Sequence, residues 1–287
     1  MKNVHILDLG VGKVKKLAVL SDLHWDNPKC DREKLKSHLD YCVTHEIPVV
    51  VIGDFFCLMQ GKGDPRASKS DVLPEHNNSK YLDSVIQTAV DWFIPYAGIL
   101  KVIGYGNHET GVIKHRETDV LQRFVDLLNY KTGEKIEVGG YGGWIVCYMQ
   151  YAKQDSSYRV SKTIKYFHGS GGGGPVTRGE INLTRAMAMH EGYDIYTMGH
   201  IHENKVTNTV REKLVYNAGK RLHELSHHSM HSMVTGTYKE EFAEGGKGWH
   251  VERGAAIKPT GGRIVTFTYR RKNTIREYLI DSILFPL

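Results

Sequence analysis

The chain has only four cysteines in 287 residues, and no two of them form a Cys-x-x-Cys pair. Cys30, Cys42, Cys57 and Cys147 are scattered, which argues against a zinc ribbon and against a disulfide scaffold. Reduced thiols in a cytoplasmic protein are the expectation. Long apolar runs are missing as well. None approaches the roughly 18 residues that a membrane helix needs, and the lysine-containing start has no signal-peptide core, so no membrane partner is expected. The sequence also lacks a fixed-period repeat, a dividing linker and any low-complexity tract beyond the glycines at 171–174. One domain over 1–287 is therefore expected, with a polar loop insert near 61–80 and a His/Gly/Lys-rich insert near 223–262.

What is present is a globular composition, 40% hydrophobic and 24% charged, in a chain long enough to bury a substantial core. The net charge of +6 is unevenly placed. Residues 203–287 hold 14 basic and 9 acidic side chains, so this part carries +5 of the total. Such a face suits a polyanion, though a basic solvated face is the commoner reading. The 16 histidines matter more, because imidazole is the commonest metal ligand at neutral pH.

The pattern turns on Val49 to Ile52 followed by Gly53 and Asp54. An apolar run this short, with no polar face, reads as a strand buried on both sides, and open α/β sheets place their chemistry where such strands end. Lys16 to Leu20 is a second strand, running into Asp22 and His24, and Ile99 to Ile103 a third, running into Gly106, Asn107, His108 and Glu109. Between them, helical spacing predicts helices over 32–46, with Leu35, Leu39 and Val43 on one stripe and Asp31 as N-cap, and over about 80–94, closed by Pro95. A further helix is expected over 116–129, with Val120, Phe124, Leu127 and Leu128 inward. Later strands are expected at 144–151, 163–167, 195–198, 213–216, 234–238, 263–269 and 274–280, with one helix near 179–191.

Asp22, His24, Asp54, Asn107, His168, His200 and His202 all stand at or just beyond a predicted strand end. Oxygen and imidazole donors without thiolate suit a divalent ion such as Mn, Fe, Zn, Co or Ni, and disfavour Ca. Seven donors exceed one tetrahedral site and match two metals that share a carboxylate, with Asp54 as the natural bridge. The motifs Asp22-Leu23-His24, Gly53-Asp54, Gly106-Asn107-His108-Glu109, lone His168 and Gly199-His200-Ile201-His202 resemble those of the calcineurin-like metallophosphoesterase superfamily. The similarity spans 17–219, closing on Tyr216-Asn217-Ala218-Gly219.

The resemblance implies a four-layer α/β/β/α sandwich and two divalent metal ions, manganese first among them. One ion would take Asp22, His24, Asp54 and His202, and the other Asp54, Asn107, His168 and His200. It implies hydrolysis of a phosphate ester by a hydroxide held between the metals, with His108 as general acid. A phosphodiester in nucleic acid or a nucleotide is the expected substrate, a small phosphomonoester the alternative, and a non-catalytic scaffold a third reading. Many relatives place an acidic residue three positions after the bridging aspartate to orient the catalytic histidine, whereas Cys57 stands there. The arginine of the protein Ser/Thr phosphatases is absent from Gly53–Met59, and Cys57 replaces the ligand tyrosine of purple acid phosphatases. Weaker features are the cluster His223, His227, His228 and His231, the loop cations Lys62, Arg66 and Lys69, the pair Arg178 and Arg185, and Trp25 beside His24.

Overall fold

The computed structural model describes residues 2–59, 71–152, 159–172, 174, 176–240, 242, 256–272 and 275–286. In chain order its strands and helices are β1 (Lys2–Val11), β2 (Val14–Leu20), α1 (Arg32–Thr44), β3 (Val49–Val51), α2 (Tyr81–Phe93), β4 (Leu100–Ile103), α3 (Asn107–Arg116), α4 (Val120–Thr132), β5 (Glu137–Gln150), β6 (Arg159–Phe167), α5 (Glu180–Ala188), β7 (Ile195–Met198), β8 (Lys205–Asn217), β9 (Leu222–Val234), β10 (Arg263–Lys272) and β11 (Ile275–Leu284). The fold is mixed α/β. Strands run side by side in the order β11-β10-β2-β3-β4-β5-β6-β7-β9-β8, and β1 pairs separately with β5.

The central strands β2, β3 and β4 are parallel and apolar on both faces. Leu17, Val19, Val50, Ile52 and Val102 meet Ile145, Cys147, Ile164, Ile195 and Met233 from the β5–β9 half in one cluster. Ala18, Leu20, Val49, Val51 and Ile103 face the opposite way, onto Leu35, Leu39, Val85, Phe93, Phe124 and Leu128 of α1, α2 and α4. Double burial is what makes these strands read as unbroken apolar runs. A third, smaller cluster seats Leu183 and Met187 of α5 on Tyr196 and Met198 of β7 and Met230 and Val234 of β9.

Asp31 caps α1 as expected, its carboxylate accepting from the Lys34 N–H at 2.9 Å. Asp31→Ala is expected to cost about 1 kcal/mol of folding stability in a urea titration. The buried stripe of α1 is Leu35, His38, Leu39 and Cys42, while Val43 is 43% exposed, a correction to the predicted face. The reason is distant in sequence. His38 stacks on Phe285 at 4.2 Å and shares a hydrogen bond with the Tyr238 hydroxyl, so two C-terminal rings draw that flank inward.

Other boundaries moved for local reasons. The expected strand at 213–216 is the C-terminal part of a 13-residue strand, β8, paired antiparallel with β9. The strand expected at 234–238 is not one, because β9 ends at Val234 and the following backbone turns to the functional site: Thr235 N–H donates to Met198 O and Tyr238 N–H to Asp22 O. Among the described residues, no helix is long and apolar enough to cross a membrane.

Candidate metal centre

Five strand ends deliver the candidate side chains. β2 leads to Asp22 and His24, β3 to Asp54, β4 to Asn107 at the first turn of α3, β6 to His168, and β7 to His200 and His202. The seven residues converge as two groups. In one, ligand atoms of Asp22, His24 and His202 lie within 4.8 Å of one another, and in the other so do those of Asp54, His168 and His200. Asn107 joins the second group, its amide oxygen 2.8 Å from His200 Nδ1 and 3.3 Å from His168 Nε2. His168 Nε2 is 3.2 Å from Asp54 Oδ2, and His202 Nε2 is 3.2 Å from Asp22 Oδ1.

Several features suit these groups to a cation. The Nε2 atoms of His24 and His202 face each other at 3.4 Å, an arrangement in which two lone pairs can share one positive charge. Buried His24 Nδ1 has no hydrogen-bond partner among the described residues. All the donors are carboxylate, amide or imidazole, the set that borderline divalent ions prefer.

The backbone here is strained and the glycines are spaced around ligands. Asp22, His24, Asp54, His200 and His202 have φ between 46° and 68°, a region that costs a non-glycine residue about 1–3 kcal/mol. They make up half of the ten such residues described. Strain concentrated on the candidate ligands indicates that the surrounding fold fixes their directions. Gly53, at φ 116°, lies against the His168 ring, so that a Cβ there would overlap it, and a Cβ on Gly106 would overlap the Asp54 carboxylate. Gly199 similarly leaves room for Ser21 and Asp22. In the three motifs that contain one, the glycine leaves the space that a candidate ligand occupies.

The charges are strongly interdependent. Burial by itself would raise the pKa of Asp54, but His168 and His108 outweigh it and hold the carboxyl well below its usual range. Asp22 is likewise lowered, chiefly by His202 acting against burial. Burial would lower His168, yet Asp54 raises it to about 9. Burial depresses both His24 and His200, so these rings offer lone pairs at neutral pH. In metal-free protein, His168 keeps its proton up to about pH 9 when folded but only to about 6.5 when unfolded. Its stabilisation is therefore complete below pH 6.5 and disappears as pH rises to 9. Thermal melts of metal-free protein are expected to fall across that window, and saturating Mn2+ to remove the decline.

His108 answers the question left by Cys57. Its Nδ1 lies 2.5 Å from the Cys57 carbonyl oxygen, which can only accept, so Nδ1 carries the proton and Nε2 turns towards Asp54, 3.8 Å from Oδ2. A backbone carbonyl thus does the orienting. Two buried acids hold this arrangement: Asp26, which no motif includes, and Glu109, which closes the Gly106–Glu109 motif without a role assigned to it there. Asp26 accepts from the N–H groups of Cys57 and Leu58 and from the Tyr81 hydroxyl. Glu109 accepts from Phe56 N–H and Gly106 N–H, both at 2.8 Å, and burial beside Asp54 raises its pKa to about 8. Asp26→Ala would leave three buried donors unpaired and is expected to cost about 3 kcal/mol, read from urea unfolding.

The weaker features divide. Trp25 is buried, packing on Trp92 and Phe93 beneath the Arg32 guanidinium, so it is a core residue. The four histidines lie along β9, where His231 is buried on Ser282 and the other three are exposed. At about 3.3 Å per residue, His223 and His231 stand roughly 26 Å apart, too far for one ion. Arg178 and Arg185 are exposed, and Gly179, next to Arg178, packs on Ile201 between His200 and His202. Lys62, Arg66 and Lys69, and the 243–255 part of the second insert, lie outside the described residues.

No protein-family model matches the chain, and no curated protein does. Among solved structures it is similar to GAP50 of Plasmodium, described as the anchor in the inner membrane complex, at 9% identity and TM-score 0.43 over 94% of this chain and 84% of that one. It is also similar to Vacuolar Protein Sorting 29 from Cryptosporidium parvum, at 12% identity and TM-score 0.32 over 94% and 98%. A functional reading therefore stands on the side chains.

Proposed function

We propose that the chain is a metal-dependent phosphoesterase of the calcineurin-like type, layered as an α/β/β/α sandwich, that hydrolyses phosphodiesters in nucleic acid or nucleotides. The observation that carries this is the convergence of seven donors from five strand ends in two groups, one of them holding Asp54. Asp22, His24, Asp54 and His202 would hold one ion, and Asp54, Asn107, His168 and His200 the second. A bound pair of divalent ions supplies an acidified water and charge neutralisation at phosphorus.

The remaining steps belong to the chain itself. The α3 N-terminus directs His108 N–H onto Asp54 Oδ1 at 3.0 Å, which fixes the orientation of the carboxylate. His108, held through Nδ1, offers Nε2 to the leaving alkoxide and, when doubly protonated, gives it a proton. The preference for a diester rests on the +5 charge of residues 203–287. Manganese-loaded protein is expected to cleave bis-p-nitrophenyl phosphate faster than p-nitrophenyl phosphate, and its affinity for an oligonucleotide to fall with salt. Turnover of the monoester alone would replace the diester reading. No turnover with Mn, Fe, Co, Ni or Zn would leave a non-catalytic scaffold.

A further inference from the structure

Among the described residues Cys57 is the one soft donor in these groups, and the proposed reaction does not use its thiol. Ligand atoms of His24, Cys57 and His108 lie within 4.8 Å of one another, forming a third group distinct in chemistry from the other two. Because the Cys57 carbonyl binds Nδ1–H of His108, the neutral ring presents the Nε2 lone pair. That is how metal-bound imidazoles are held, with the second ring nitrogen donating to a carbonyl or carboxylate. His24 is 2% exposed and its Nδ1 has no hydrogen-bond partner among the described residues. The thiol is also 2% exposed, and Asn27 Nδ2 donates to Sγ at 3.2 Å, a contact that favours thiolate. Burial keeps the unmetallated thiol protonated, so that it stays inert until a cation replaces the proton.

We propose that His24, Cys57 and His108 form a site for a thiophilic divalent cation, Zn2+ or Cd2+, and that its occupation switches the centre off by taking His108. Binding forms one metal–sulfur and two metal–nitrogen bonds, and the thiol proton leaves to solvent. The inhibition rests on the phosphoesterase reading, whereas the binding does not.

Titrating the metal-free full chain with Co2+ tests the binding directly. A thiolate-to-cobalt charge-transfer band in the near ultraviolet is expected for the wild type and for Cys147→Ser, and its loss in Cys57→Ser. A band that survives Cys57→Ser, or that never appears in the wild type, overturns the proposal. Cadmium NMR of the wild type needs no variant: a strongly deshielded, sulfur-ligated resonance is expected, and nitrogen- and oxygen-ligated signals alone would refute the site. In the manganese-loaded phosphodiester assay, half-inhibition of Cys57→Ser is expected to require about 10-fold more Cd2+ than that of the wild type. A charge-transfer band without any phosphoesterase activity would sink the functional reading and leave the site standing. Activity without the band would do the reverse.

Discussion

Asp54→Asn is expected to reduce metal-dependent diester hydrolysis by at least about a thousandfold while the protein still folds. The substitution keeps an oxygen for the His108 N–H but removes the negative charge beside His168 that the proposed function shares between the two groups of donors. It also removes the partner that raises His168 to about 9, so the fall in metal-free stability between pH 6.5 and 9 should flatten in the same variant. The two effects are read independently, by turnover and by melts. An active Asp54→Asn enzyme would show that the carboxylate is not where the chemistry converges.

Gly106→Ala should have the next largest effect. The α3 N-cap runs so close to Asp54 that a methyl group would overlap the carboxylate and its backbone N–H. Either the carboxylate or the helix start must shift. A displacement of about 1 Å in a positioned catalytic group costs about a hundredfold in rate. Gly111→Ala, five residues further along the same helix, is the control: a Cβ there meets nothing within 4 Å. It is expected to stabilise the protein by about 0.8 kcal/mol, the ordinary helix preference for alanine, and to leave turnover unchanged. Equal losses from both variants would mean that α3 is merely fragile.

The contrast between these glycines reflects what could be read in the sequence. The central strands were legible because double burial writes itself as an apolar run, and the converging donors because each run ends in a short polar motif. Helix α3 was not. Only Glu109 and Val112 of its ten residues are buried, so it has no apolar stripe to betray it. Strand β1 escaped for a similar reason: Val4 and Ile6 are exposed, which blurs the alternation of a half-buried strand. β8 and β9 were legible only in fragments, because their paired outer stretch carries exposed apolar side chains such as Val210 and Leu214 among charges.

Within the site, the unread parts are those that act through backbone. His108 is oriented by the carbonyl of Cys57, and every residue has a carbonyl, so no side-chain motif could announce it. Asp26 is pinned to the N–H groups of Cys57 and Leu58 across more than thirty residues of sequence. A lone aspartate four positions after Asp22 carries no such signal. What the sequence did carry was the position of the problem, in the absence of an acid at Cys57.

The central claim is that side chains from separate strand ends hold two cations on one shared carboxylate. Anomalous scattering from crystals grown with Mn2+ tests it most directly. The expected result is two manganese peaks about 3.5–4 Å apart, one among Asp22, His24 and His202 and one among Asn107, His168 and His200, with Asp54 touching both. Manganese bound elsewhere, or a single ion that leaves Asp54 uncoordinated, would contradict the account.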